Sequence, residues 1–139
     1  MSDPATIARE YLESFNQRNW DKMRSLMHAD YSYTGGDGQT QQGPDAGIAV
    51  AKMFAGAMSD AKITIKNIVT SGNTAVAEFI GSGTQDGEFA GIPASNKHVT
   101  MPVCFVIELK DGKIAAEREY MDMAHMMQQI GAMPAPATA

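Results

Sequence analysis

The order of the periodic segments predicts an α+β protein in which a bent antiparallel sheet wraps around N-terminal helices to form a cone. Apolar residues recur at helical spacing over residues 4–58, and the period changes to two from residue 62 onward. Helices and strands that are segregated along the chain favour α+β over α/β. Two hairpin signals join long strands, so we expect an antiparallel sheet that encloses a cavity.

Three helices are predicted before the sheet, and a short one after it. The first, 4–17, follows a capping Asp3 and carries apolar side chains every four residues. A short second helix begins at Trp20, and Pro44 opens the third after a polar, glycine-rich loop. The last helix, 123–130, ends before a glycine that suits a C-terminal cap.

Five strands are predicted from alternation and turn signals. A slip in the apolar phase at Asn67–Ile68 suggests a bulge, and Asp111-Gly112 is a strong two-residue hairpin signal. The segment 97–109 is apolar on both faces, so we expect it to be central or covered on both sides. The predicted strands are 31–34, a strand from residue 62 to the Ser71-Gly72-Asn73 turn, 74–84, 97–109 and 113–122.

Length and composition limit the possible functions. A chain of 139 residues with 44% hydrophobic residues fits one domain, which we place at 1–131 with a disordered tail at 132–139. The net charge of −5 and the lack of a basic patch argue against nucleic acid as a partner. No apolar run is long enough for a membrane span, and the single Cys104 requires no oxidising compartment, so we expect a cytoplasmic protein.

Two stretches of sequence resemble SnoaL-like polyketide cyclases and ester cyclases. The segment GTQDGEFAGIPASNKHV at 83–99 is similar to one of their motifs, and DGKIAAEREYMDMAHMMQQIG at 111–131 is similar to their closing pattern. The resemblance covers residues 4–131 and implies the cone-shaped barrel of the nuclear transport factor 2-like superfamily, often a homodimer with a pocket inside. It also implies cofactor-independent chemistry on a small molecule.

Asp122 is the first candidate catalytic residue, because the family pattern places its acid/base aspartate there. Strand alternation puts Arg118 and Tyr120 on the same face as Asp122, where they are candidate substrate-binding residues. Two alternatives stay open: Asp122 caps the last helix, and Arg118 pairs with Glu78 on a neighbouring strand.

Further polar candidates lie elsewhere in the chain. His98 begins a long strand and is a candidate catalytic residue, as is Tyr33, whose hydroxyl could donate to a developing enolate. Tyr11 lies on the inward stripe of the first helix and is a candidate substrate-binding residue. The histidines show no metal-ligand spacing, so we expect neither a metal nor a cofactor.

The predicted pocket is apolar and rich in methionine. Eleven methionines occur in the chain, and flexible thioethers suit adaptable pockets. We therefore expect a hydrophobic, oxygenated small molecule as partner, with proton abstraction next to a carbonyl in an aldol-type cyclisation or isomerisation. The alternative is a non-catalytic module for small-molecule binding or dimerisation. The expected wall residues are Trp20, Phe54, Met101 and Phe105.

Overall fold

A computed structural model describes residues 3–134, in which six strands form one curved sheet beside three N-terminal helices and a short fourth helix. The predicted α+β class is confirmed. The elements, in chain order, are α1 (Pro4–Asn16), α2 (Trp20–Ser25), β1 (Met27–Thr34), β2 (Thr40–Gln42), α3 (Pro44–Ala57), β3 (Lys62–Ser71), β4 (Thr74–Thr84), β5 (His98–Lys110), β6 (Lys113–Met121) and α4 (Met123–Gln129).

The strand order across the sheet is β2-β1-β6-β5-β4-β3. All neighbouring strands are antiparallel except β1 and β6, which are parallel. This parallel pair is possible because β2, α3 and the strands β3 to β5 lie between β1 and β6 in the chain, which is ample length for a crossover connection. The prediction of a wholly antiparallel sheet is therefore wrong at this one pairing.

Most predicted elements are confirmed, and the differences have local causes. The bulge near Asn67 is present as a register shift after Ile65. β2 was not predicted, because its three polar residues are all exposed and show no alternation. β5 is central, but burial alternates over 98–103, so that part is covered on one face only.

Helix α4 is the last element of the described chain, and both of its ends have the predicted caps. Asp122 caps α4, and Gly131 follows the helix with a φ of 80°. Residues 135–139 of the predicted tail lie outside the described residues. Within 3–134, no helix is both long and apolar enough to cross a membrane.

Close packing of α3 against β1 holds the helical layer to the concave face of the sheet. A Cβ atom at Gly47 would lie 2.6 Å from the Tyr31 ring, so only glycine allows this approach. At the end of α1, the Asn16 side chain bonds the backbone N–H and carbonyl of Ile63 at 2.7 and 2.8 Å. These contacts fix α1, α3 and the sheet around a central cavity.

Candidate active site

The concave face of the sheet, α1 and α3 enclose a cavity of about 110 Å³. Its walls are almost entirely apolar, and Met126 of α4 contributes to one side. Four polar side chains stand out against these walls, two from the helix and strand at the N-terminal side and two from β6. They are Tyr11, Tyr33, Glu117 and Glu119, while Lys62 and Ser82 also line the cavity but are exposed and half-buried.

Glu117 is the most enclosed carboxyl group of the site, with 4% of its surface exposed. The hydroxyl groups of Tyr11 and Tyr31 both donate to its Oε1 atom, at 2.5 and 3.0 Å. Tyr11 comes from the inward stripe of α1, and Tyr31 comes from β1. Tyr31 is fully buried and stands behind the cavity wall, because Gly47 of α3 packs against its ring.

Glu119 lies two residues farther along β6, on the same face as Glu117. Its side chain is 8% exposed, and the Tyr33 hydroxyl donates to its Oε2 atom. In the register of β5 and β6, Phe105 is directly opposite Glu119. The second carboxyl therefore sits between a tyrosine and a phenylalanine.

Each carboxyl group keeps one oxygen free. Among residues 3–134, no protein group donates to Oε2 of Glu117 or Oε1 of Glu119. Every fully buried side-chain oxygen or nitrogen of the same residues has a hydrogen-bond partner. Since these two oxygens have none, each of them keeps some accessible surface. They are the carboxyl oxygens that can accept a hydrogen bond from a ligand in the cavity.

The surroundings shift the protonation of both acids. The pKa of Glu117 is raised to about 7. Burial is the largest cause and the charge of Glu119 acts in the same direction, while the Tyr11 and Tyr31 hydrogen bonds oppose the rise. Burial also raises the pKa of Glu119, against the opposing effect of the Tyr33 hydrogen bond. The pKa of each tyrosine is raised, chiefly by burial, so all three remain hydrogen-bond donors.

Asp122 does not lie in this cavity, contrary to the prediction. Its side chain is exposed and accepts a hydrogen bond from the backbone N–H of His125 at 3.1 Å. The helix-cap alternative describes its observed position. Strand β6 turns its odd-numbered residues inward after residue 116, so the even-numbered Asp122 falls on the other side.

Arg118 and Tyr120 share that outward direction, so their predicted pocket positions are wrong as well. The Arg118 guanidinium pairs with Glu108 rather than with Glu78, because Glu108 lies on the adjacent strand β5. Tyr120 is 56% exposed on the outer face of the sheet. Neither side chain lines the cavity.

The other predicted residues divide into two groups. His98 is exposed, and Trp20 packs edge-on against Phe15 with ring centroids 6.1 Å apart, so neither lines the cavity. The five remaining predicted residues do line it: Tyr11, Tyr33, Phe54, Met101 and Phe105.

The two glutamates that dominate the site are not among the predicted residues. Strand alternation places Glu117 and Glu119 on the face opposite Asp122, for which no role was predicted. The useful signal was Met121, an apolar residue in phase with both glutamates and part of the cavity wall. As for metals, residues 3–134 contain no group of three or more His, Cys, Asp or Glu side chains that could hold an ion.

Comparison with known proteins gives a consistent fold. A family model described as SnoaL-like polyketide cyclase matches residues 5–130. A candidate SnoaL-like polyketide cyclase from a Jannaschia species is 23% identical over 96% of this chain and 98% of that chain, with a TM-score of 0.82. IdmH from Streptomyces antibioticus, a candidate polyketide cyclase, is 21% identical over 94% and 99%, with a TM-score of 0.82.

A third solved structure carries the ketosteroid isomerase-like fold. It is a hypothetical protein from Catenulispora acidiphila in complex with trimethylamine, 17% identical over 99% of this chain and 100% of that chain, with a TM-score of 0.78. The comparison with curated proteins found no match. At these identities the solved structures establish a shared fold.

Proposed function

The chain belongs to the SnoaL-like polyketide cyclase family, and from this premise we propose that it is a cofactor-independent enzyme with Glu117 as its acid/base. The reaction is abstraction of a proton next to a carbonyl group of a hydrophobic, oxygenated small molecule, leading to aldol-type cyclisation or isomerisation. This role replaces the one predicted for Asp122, whose side chain is exposed outside the cavity.

One observation carries the proposal: a carboxyl group with one free oxygen lines a cavity whose walls are almost entirely apolar. Tyr11 and Tyr31 hold Oε1 of Glu117, which leaves Oε2 to meet the substrate. With a pKa of about 7, the group is ionised in part of the molecules at neutral pH and can accept a proton. A base whose pKa lies near the working pH combines availability with driving force.

Tyr11 is placed to stabilise the negative charge that reaches the substrate during proton transfer. When Glu117 takes the proton, negative charge moves from the carboxylate to the enolate oxygen of the substrate. Tyr11 lines the cavity and can donate to that oxygen, whereas Tyr31 stands behind the wall and stays bonded to Glu117. A hydrogen bond that is stronger in the transition state than in the ground state lowers the barrier.

The subsequent step decides between the two reaction types. In an isomerisation, the protonated Glu117 returns its proton to a different carbon of the enolate. In an aldol closure, the enolate carbon attacks a second carbonyl carbon of the same molecule, a C–C bond forms, and the new alkoxide takes the proton from Glu117. In both, the acid and base are the same carboxyl group, and no external oxidant or reductant is needed.

A non-catalytic binding module is the alternative function. The apolar walls and the methionine side chains favour binding of a hydrophobic molecule whether or not a reaction follows. Under this alternative, the Glu117 carboxyl only orients the ligand. Ligand binding without proton transfer would support it.

Hydrogen–deuterium exchange at carbon tests the proposal without knowledge of the natural substrate. Small cyclic aromatic ketones in D₂O are followed by NMR, with and without the protein. We expect the protein to accelerate exchange next to the carbonyl, and Glu117→Gln to reduce the acceleration by about 10²-fold or more, the lower range for general acid–base catalysis.

Glu78→Gln is the matched control, because it removes the charge of an exposed glutamate on β4. This variant should exchange ketone protons at the wild-type rate. If the ketones bind and no exchange above the solvent rate occurs, the protein is a binding module and the catalytic proposal fails.

We also propose that the protein forms a homodimer through the outer face of the sheet. Val69 and Tyr120 are 52% and 56% exposed there, and Val76 and Val106 pair with each other between them. Exposed apolar side chains on one face favour association. Tyr120→Lys should shift the mass measured by light scattering from dimer to monomer, and a wild-type monomer would contradict the proposal.

A further inference from the structure

Two carboxyl groups face the cavity, and the protein gives neither of them a cation. Among residues 3–134, no salt bridge includes Glu117 or Glu119. The basic residue of the cavity lining, Lys62, is exposed and forms no ion pair with either group. Buried carboxylates are ordinarily paired with a positive charge, so this pair is incomplete when it is ionised.

Aromatic rings surround the second of these carboxyl groups. Phe105 is directly opposite Glu119 in the sheet, and Phe79 packs edge-on against Phe105 with ring centroids 4.9 Å apart. Tyr33 lies on the other side and donates to one carboxyl oxygen. A carboxylate beside aromatic rings is the environment that recognises an alkylammonium group, through ionic attraction and cation–π contact together.

We propose that the cavity takes a hydrophobic molecule that carries a protonated amine, and that Glu119 binds the ammonium group. The free oxygen of Glu119 accepts a hydrogen bond from the ammonium N–H, and Phe105 contacts the adjoining carbon atoms. The apolar walls bind the hydrophobic body. A neutral ligand would leave the ionised Glu119 without a counter-charge, so the site discriminates by charge as well as by shape.

The inference rests on the proposed function and narrows its substrate class. Glu117 and Glu119 are two residues apart on one strand, so their Cα atoms are roughly 7 Å apart at about 3.3 Å per residue. Glu119 can therefore hold the amine while Glu117 reaches a carbon several bonds away. The substrate class is thus an amino ketone or a related basic carbonyl compound.

The cavity volume limits the size of the first probe. About 110 Å³ is somewhat smaller than an engineered cavity of about 150 Å³ that holds benzene. Met101 and Met126 line the cavity and can change rotamer to admit more atoms. A one-ring amine is therefore a suitable probe, and benzylamine has a neutral counterpart of nearly the same shape in benzyl alcohol.

Isothermal titration calorimetry of the full chain at about pH 7.5 compares the two probes. At this pH benzylamine stays protonated, as alkylamines do, while the bound ammonium group favours the ionised form of Glu117 and Glu119. We expect benzylamine to bind at least about 10-fold more tightly than benzyl alcohol, which corresponds to about 1.4 kcal/mol. We also expect its binding to release protons, measured as a dependence of the enthalpy on the buffer.

The titratable groups facing the bound ammonium are few, so the proton release can be assigned. They are Glu117 and Glu119 of β6, Tyr11 of α1, Tyr33 of β1, and Lys62 of β3. Since the tyrosines and the lysine keep their protons at this pH, released protons come from the two glutamates. Affinity for benzylamine should accordingly rise with pH.

Three variants locate the binding group. Glu119→Gln should abolish the preference for the amine, Glu119→Asp should retain part of it, and the exposed control Glu78→Gln should retain all of it. Circular dichroism verifies that each variant is folded. If Glu119→Gln does not fold, proton release by the wild-type protein and the Glu119→Asp result decide the question.

Several results would overturn the inference. They are equal or tighter binding of benzyl alcohol, no binding of either probe at millimolar concentration, or an unchanged preference in a folded Glu119→Gln variant. Ketone exchange that depends on Glu117 would leave the proposed function standing in each case. Conversely, amine preference without ketone exchange would refute the catalytic proposal and retain the ammonium site.

Discussion

Replacing Glu117 with glutamine should make the folded protein less sensitive to pH. Burial raises the pKa of this carboxyl from its ordinary 4.5 to about 7 on folding, so the folded state binds the proton more tightly than the unfolded state. The contribution of Glu117 to the stability is therefore highest below about pH 4.5. It falls as the pH rises through the window from about 4.5 to about 7, and it stays low above that window.

The structure sets the size of this effect. Each tenfold change in proton affinity corresponds to about 1.4 kcal/mol, so the raised pKa costs the folded state about 3 kcal/mol at pH 8. Glu117 is almost completely buried, at 4% exposure, so solvent screening gives little relief. Glutamine carries no charge, and its amide oxygen can still accept the hydrogen bonds of Tyr11 and Tyr31.

The assay is urea denaturation followed by circular dichroism at several values between about pH 4 and pH 8. Relative to the wild type, the Glu117→Gln variant should gain about 3 kcal/mol in unfolding free energy between the two ends of this range. The control Glu78→Gln alters an exposed glutamate and should follow the wild-type curve. If the unfolding free energies of wild type and Glu117→Gln change with pH in parallel, the conclusion that this carboxyl is desolvated is refuted.

Three other substitutions test contacts around the site by thermal or urea denaturation. Gly47→Ala should lower the free energy of unfolding by about 1–3 kcal/mol, because the new Cβ would lie 2.6 Å from the Tyr31 ring. Gly56→Ala on the same helix is the control. Its Cβ meets nothing within 4 Å, so this variant should be as stable as the wild type or slightly more stable. Asp122→Ala should cost about 1 kcal/mol as a lost helix cap and leave ketone exchange intact; a loss of exchange would contradict its assignment as a cap. Gln85→Leu removes a side-chain amide that donates to the backbone carbonyl groups of Gly87, Ile92 and Pro93 and accepts from the Ser95 N–H. The free energy of unfolding should fall by about 3 kcal/mol, and an unchanged melting temperature would contradict that role.

The helices and the two hairpins could be predicted because their signals are local. Pro44 opens α3, and Asp111-Gly112 forms the β5–β6 turn, with positive φ at both residues. Contacts between distant segments have no such signal. β2 is three exposed polar residues, and it becomes a strand only because β1 offers an edge to pair with.

The inward face of β6 was mispredicted because the alternation changes phase within this strand. Ile114 is fully buried, so alternation from it would bring Arg118 and Asp122 inward. A register shift between Glu108 and Leu109 changes the pairing of β5 with β6, and beyond it Glu117 is buried instead. A bulge of this kind reverses which residues face the core.

That change of phase explains how two glutamates came to lie inside an apolar cavity. A glutamate on the inner face of a sheet is unfavourable unless something accepts or stabilises its charge. Here Tyr11, Tyr31 and Tyr33 donate to one oxygen of each carboxyl and leave the other oxygen free. Three tyrosines from α1 and β1 thus bind two carboxyl groups that the fold itself does not need. A well-packed apolar residue at either position would make the folded protein more stable. The arrangement therefore gives up stability to keep two carboxyl groups at the cavity, as the proposed roles of Glu117 and Glu119 require.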